Sequence, residues 1–172
     1  MPIYEVYWRN FVDIKIAEQY FSLYASHSKH RIWVIDAICM IFSLTGIISL
    51  VNNYCPTVVS SLIILSSQIV SVLQPLYPYS QRLYAAQCIY REYSNLALIT
   101  EQTVNGYLYG NIEESDLLPA LERAQSESND IENKFCSVDL FPKNIRLHKA
   151  AEKSVMQYLN VHFDLGEKQH EK

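Results

Sequence analysis

The feature that most constrains this chain is a gap in its charges. The protein carries 14 Lys and Arg and 18 Asp and Glu, yet from Ile32 to Leu76 the only one of these is Asp36. A water-facing helix needs a solvated polar face along its length, so a charge-poor stretch of this size calls for a different solvent or for burial. Two apolar runs fill it. The first is IWVIDAICMIFSLTGIISLV, residues 32–51; the second is PTVVSSLIILSSQIVSVLQPL, residues 56–76. At 1.5 Å per residue each reaches roughly 30 Å, the thickness of a bilayer's hydrocarbon core. Asn52-Asn53-Tyr54-Cys55 between them is a polar turn, short enough only for a tight antiparallel hairpin.

The flanks give this hairpin an orientation. Lys29, His30 and Arg31 precede the first run, Arg82 and Arg91 follow the second, and the turn is uncharged. The positive-inside rule then predicts a multi-pass inner-membrane protein with both termini cytoplasmic, and Trp33, Tyr77 and Tyr79 suit an aromatic belt. The competing reading is a water-soluble protein that buries the hairpin; the asymmetric flanking charge weighs for lipid. A signal peptide is rejected, because the first apolar run follows about thirty residues containing Tyr, Trp and charges and is itself followed by a second run. Cys39, Cys55, Cys88 and Cys136 stand far apart without CxxC pairing, which speaks against a disulfide framework or a zinc site.

Polar residues recur inside the runs. Asp36, Cys39, Ser43 and Gly46 follow at steps of three and four on one helix face, and Ser60, Ser67, Ser71 and Gln74 occupy a sector of the second run with Gln68 beside it. Small and hydroxylated residues let helices approach closely and hydrogen-bond across, so a span-packing seam is one reading. The other is a water-filled lumen in an oligomer, with Asp36 as a ring of negative charge near its cytoplasmic mouth and Ser71 and Gln74 as its neighbours in depth.

Around the hairpin the pattern is helical throughout. Tyr4, Tyr7, Trp8, Phe11, Ile14, Ala17, Phe21 and Tyr24 trace one face of an amphipathic helix over residues 1–31, whose mixed charge suits packing on protein better than on lipid. Residues 77–162 read as a cytoplasmic helical bundle. A long helix over Ser80–Leu108 presents Leu83, Ala86, Tyr90, Tyr93, Ala97 and Val104, and ends at Gly106 and Gly110. Asn111 and Glu114 resemble a capping box opening a helix that carries Leu117, Leu121, Ala124, Ser128, Ile131 and Phe135. After Pro142 a last helix turns Ile145, His148, Ala151, Val155 and Leu159 inward, and residues 163–172 form a charged tail. The predicted class is all-α and integral to the membrane.

From Tyr77 onward ten Lys and Arg face fourteen Asp and Glu, a net of -4, which is no footprint for duplex nucleic acid. Two local basic groups could hold a small anion or nucleotide: Arg82 with Arg91, and Lys143, Arg146, Lys149 and Lys153 on the last helix; a solvated helix face is the plainer reading of the second. The sequence carries no Gly-rich phosphate loop, HExxH, GxSxG or close His/Asp/Glu cluster, so neither catalytic residues, a metal site nor a cofactor is expected.

YASHSKHRIWVIDAICMIF, the tight hairpin, SQRLYAAQCIYREYSNLALITEQ and the helical pair opening NIEESDLLPALERA together resemble the SLATT group of small prokaryotic two-transmembrane proteins, over nearly the whole chain. The resemblance implies an effector of bacterial anti-phage conflict systems. Such an effector stays silent in the inner membrane until a sensor partner or a cyclic or oligonucleotide signal activates it, then oligomerises and permeabilises or depolarises the membrane. The chain has no separate nucleotide-binding domain, so its cytoplasmic helices or a partner would read the signal. The alternative is a non-pore membrane anchor or scaffold presenting a helical interaction domain; a small transporter component is a third.

Overall fold

The structure is a computed structural model and describes residues 2–52, 57–73, 79–135, 141 and 144–163. Every regular element there is an α-helix, as the all-α class requires: α1 (Ile3–Asn52), α2 (Thr57–Leu73), α3 (Tyr79–Leu108), α4 (Glu114–Phe135) and α5 (Ile145–His162). The chain divides into two compact units. One, the four-helix unit, takes Met1–Ala25 and Ala85–Lys172; the other, the apolar unit, takes Ser26–Tyr84.

The four-helix unit is built by periodicity. On α1 the stripe Tyr7, Phe11 and Ile14 is buried, with Ala17 and Phe21 partly so and Tyr24 buried again. Tyr7 and Phe11 close on Val104 of α3, Leu117 and Leu121 of α4, and Val155 and Leu159 of α5. Ile14 joins Ile89, Tyr93, Leu96 and Ala97 of α3 with Ala124 and Ile131 of α4. Each fully buried large side chain contributes roughly 1.5–3 kcal/mol, so these interdigitated residues hold the four segments together. Trp8 seals one end, its ring 5.1 Å from Phe163 and 5.5 Å from Phe11.

The core face of α3 differs from the expected one by a residue. Ile89, not Tyr90, is buried, and Leu96 and Thr100 join Ala86, Tyr93, Ala97 and Val104. Thr100 can occupy this face because its hydroxyl donates back to the carbonyls of Leu96 and Ala97, at 2.9 and 3.0 Å, so no polar group is stranded. On α5, Ala151, Val155 and Leu159 face inward as expected, whereas Ile145 and His148 are exposed.

The helix ends show how the chain turns. Gly110 adopts φ 73°, its N–H donates to Tyr107 O at 3.0 Å, and Asn111 N–H donates to Gly106 O at 2.7 Å. This pair of bonds is a Schellman closure, which satisfies the last carbonyls of α3 and favours glycine at the left-handed position. At Gly106 a Cβ would lie 2.5 Å from Ile112 Cδ1 and 2.9 Å from its Cγ1, so a larger residue there has to displace the Ile112 side chain. The closure carries the chain past Asn111, so α4 starts at Glu114 and the anticipated Asn111–Glu114 capping box does not form. At α5, Asn144 is the N-cap, its side-chain oxygen accepting from the N–H groups of Arg146 and Leu147 at 3.1 and 3.3 Å.

Among the described residues no helix is long and apolar enough to cross a membrane. That overturns the spans at 32–51 and 56–76, the integral-membrane fold class, and the multi-pass inner-membrane location with two cytoplasmic termini. The described part of α2, Thr57–Leu73, has 17 residues, about 25 Å at 1.5 Å per residue against roughly 30 Å of hydrocarbon, and serines punctuate it. α1 is far longer, but charged residues fill its first part and Asp36 interrupts its apolar run.

Candidate functional site

Two regions carry chemistry that a folded core does not use, one in each unit. In the apolar unit many of the described large side chains point outward. Met40, Ile41 and Phe42 of α1 are 64%, 62% and 50% exposed, and Leu44, Ile47 and Ile48 are likewise exposed. Three consecutive exposed residues at 100° per residue spread the apolar surface over more than half the circumference of this helix. On α2, Val58, Leu62, Leu65 and Ile69 recur at steps of four, three and four, all exposed, as a single apolar seam. Apolar surface on this scale is an interaction surface, since water-facing proteins do not leave such patches uncovered.

The polar residues singled out from the sequence are distributed along these two helices. Asp36 is exposed, while Cys39 and Ser43 are half-buried on α1; Asp36 and Ser43 both have interaction partners. Gln68 is exposed on α2. The burial of Gly46 and the side chains of Ser60, Ser67 and Ser71 fall outside what is described, as does the whole of Gln74, and with them the anticipated pairing of Asp36 with Ser71 and Gln74. Arg82 is half-buried in this unit, and its Nε is enclosed without a hydrogen-bond partner among the described residues.

In the four-helix unit a charged clamp ties three helices together. Lys15 of α1 sits 3.0 Å from Glu101 of α3 and 3.4 Å from Glu18. Tyr158 of α5 donates its hydroxyl proton to Glu101, and Lys15 Nζ lies 4.9 Å from the centre of the Tyr158 ring. Burial opposes ionisation of Glu101, but the bonds from Tyr158 and Lys15, with the charge of Lys15, outweigh it and hold the carboxyl below its usual range. Burial and the neighbouring Glu101 push Tyr158 up to about 12. Both shifts describe one state, with the proton on the phenol and the charge on the carboxylate.

Next to the core lies an open cavity of about 650 Å³ with Tyr20, Phe21, Tyr93 and Phe141 in its wall. Ile145 and His148 line it too, which explains their exposure on a helix face that points inward. Three carboxylates, Asp13, Glu132 and Glu152, surround it against Lys149 and His148, and Glu152 already pairs with His148 at 3.2 Å. This balance repels phosphate rather than collecting it.

The expected anion ligands are not gathered at that cavity. Lys149 reaches its edge, Arg146 and Lys153 are exposed on α5, Arg91 is exposed on α3, and Lys143 lies outside the described residues. Among the described residues no group of three or more His, Cys, Asp or Glu could hold a metal ion.

No protein family, curated protein or solved structure matches this chain. The Lys15–Glu101–Tyr158 clamp went unseen in the sequence because its members lie 57 residues or more apart; only the helical phase of each pointed the same way.

Proposed function

We propose that this chain is an effector of a prokaryotic conflict system: several copies assemble on activation, and their apolar units permeabilise or depolarise the inner membrane. The four-helix unit is the receiving part, on which a sensor partner or a nucleotide signal acts. The observation that carries this reading is the contrast between the units. Every buried core residue described lies in the four-helix unit, whereas the other unit turns Met40, Ile41, Phe42 and the Val58–Ile69 seam outward. The reading needs that surface to be delivered to lipid by an assembly; it does not need any single helix to cross the bilayer. A protein partner is the better activator, since the cavity of the four-helix unit is rimmed by carboxylates.

The test is induction of the gene in cells loaded with a potential-sensitive dye, with neighbouring genes present. Rapid depolarisation is expected, lost when Leu62→Asp and Leu65→Asp place charges in the α2 seam while the chain accumulates normally. Growth and membrane potential both untouched would refute the effector reading and favour a scaffold that only presents its four-helix unit.

A further inference from the structure

Self-association needs a surface, and the four-helix unit offers two that match. The first is a groove of about 250 Å³ between α3 and α4. Leu96, Ile99, Ile131 and Phe135 give it an apolar floor, and Glu92, Glu127, Asp130 and Lys134 its charged rim. Lys134 is taken up by Glu92 at 3.8 Å; among the described residues Glu127 and Asp130 make no ion pair. Three acids against one base leave the rim at -2. The whole of α4 is acidic, with six Asp and Glu against two Lys and Arg.

The second surface is the outer face of α5. Arg146, Lys149 and Lys153 are exposed, make no ion pair among the described residues, and fall within 60° of one another at 100° per residue. Met156, 51% exposed, lies beside them as an apolar contact. Lys153 stands seven positions beyond Arg146, about 10 Å of helix. On the α3 wall of the groove Ile99 likewise stands seven positions beyond Glu92. No residue of α5 lines the groove, so the basic face does not satisfy the acidic rim of its own chain.

We infer that the α3–α4 groove of one copy receives the basic face of α5 from a second copy, joining the chains head to tail. A contact between two different patches repeats from copy to copy, giving a ring if the rotation closes and a filament if it does not. This rests on, and deepens, the assembly proposed above, because it supplies the contact that gathers the apolar units.

Charge reversal tests it on the full chain, held in a non-ionic detergent to keep the apolar unit from clumping. Sedimentation velocity should show assemblies at low salt that dissociate as salt screens the pairs. Lys149→Glu with Lys153→Glu, or Glu127→Lys with Asp130→Lys, should each weaken association at least about tenfold. Mixing the two variants should restore it, since each then offers the complement of the other; an anion bound to α5 would give no such rescue. A monomeric wild type, or variants that assemble as it does irrespective of salt, would overturn the interface. Variants that are monomeric yet still depolarise cells would leave the interface standing and remove the assembly step from the effector reading.

Discussion

Replacing Tyr158 by Phe removes one hydroxyl from the clamp and leaves the ring, so its effect isolates the bond to Glu101. Glu101 is 18% exposed and also held by Lys15 at 3.0 Å. A hydrogen bond to a charged group contributes roughly 1.5–3 kcal/mol. Water reaches part of this carboxylate and can replace the lost donor, which places the cost near the lower bound, about 1.5 kcal/mol. For a chain of this size that is a drop of roughly 3–6 °C in Tm. The assay needs a probe confined to the four-helix unit. The protein has two tryptophans, and Trp8 packs on Phe11 and Phe163, so a Trp33→Phe background leaves Trp8 fluorescence reporting on this core alone.

The pH dependence fixes the sign. The folded-state pKa of Glu101 is lowered from 4.5, so its contribution is present above that value and is lost as pH falls through the depressed folded pKa. Tyr158 has its folded pKa raised from 10 to about 12, so its contribution is present below pH 10 and is lost as pH rises through 12. Tyr158→Phe should therefore destabilise most between about pH 5 and 9 and progressively less in acid. A Tm change under 1 °C at pH 7, or one that grows on acidification, would refute the charged bond. A double cycle with Lys15→Met should show coupling, because removing Lys15 leaves the Tyr158 bond as the remaining hydrogen bond to the Glu101 carboxylate.

Two backbone positions give cheaper tests. Gly110→Ala should cost about 1 kcal/mol, because its φ of 73° penalises a Cβ although the space around it is open, whereas Gly110→Asn should cost less; Tm by circular dichroism separates the two. Asn144→Ala should remove the N-cap of α5 for about 1 kcal/mol, with Asn144→Asp close to neutral; faster amide exchange at Arg146 and Leu147 is the local readout.

Periodicity made most of the four-helix unit legible. The α1 stripe from Tyr7 to Tyr24 and the α4 stripe from Leu117 to Ile131 lie where the spacing put them, because burial of large side chains leaves little freedom in phase. α3 was harder to phase, being apolar on several sides: Tyr90 competes with Ile89, and Thr100 hides its polarity within its own helix. Ile145 and His148 have the right phase but face a cavity, which no one-dimensional pattern registers. The candidate site was only partly visible. Exposed bases on α5 were apparent from their spacing; the groove that complements them needs α3 and α4 side by side. The charge gap over 32–76 predicts two spans, whereas hydropathy alone does not say what covers an apolar surface, and among the described residues no helix is long and apolar enough to cross a membrane.

The distribution of charge separates the two association surfaces in principle as well as in experiment. The first 76 residues carry four Lys and Arg against four Asp and Glu, so the whole net charge of -4 resides beyond them. There it is unevenly placed: α4 is at -4 and α5 at +2. An isolated four-helix unit gains little from that segregation, since exposed pairs within one chain contribute only about 0–1 kcal/mol. Between chains the same segregation sets register and excludes wrong partners. A sodium chloride titration weakens the α5–groove contact by screening, whereas sulfate strengthens burial of the α1 and α2 side chains. Sulfate screens charge as well, so assembly that both salts weaken is carried by α5 and the groove, and assembly that sulfate strengthens is carried by the apolar unit.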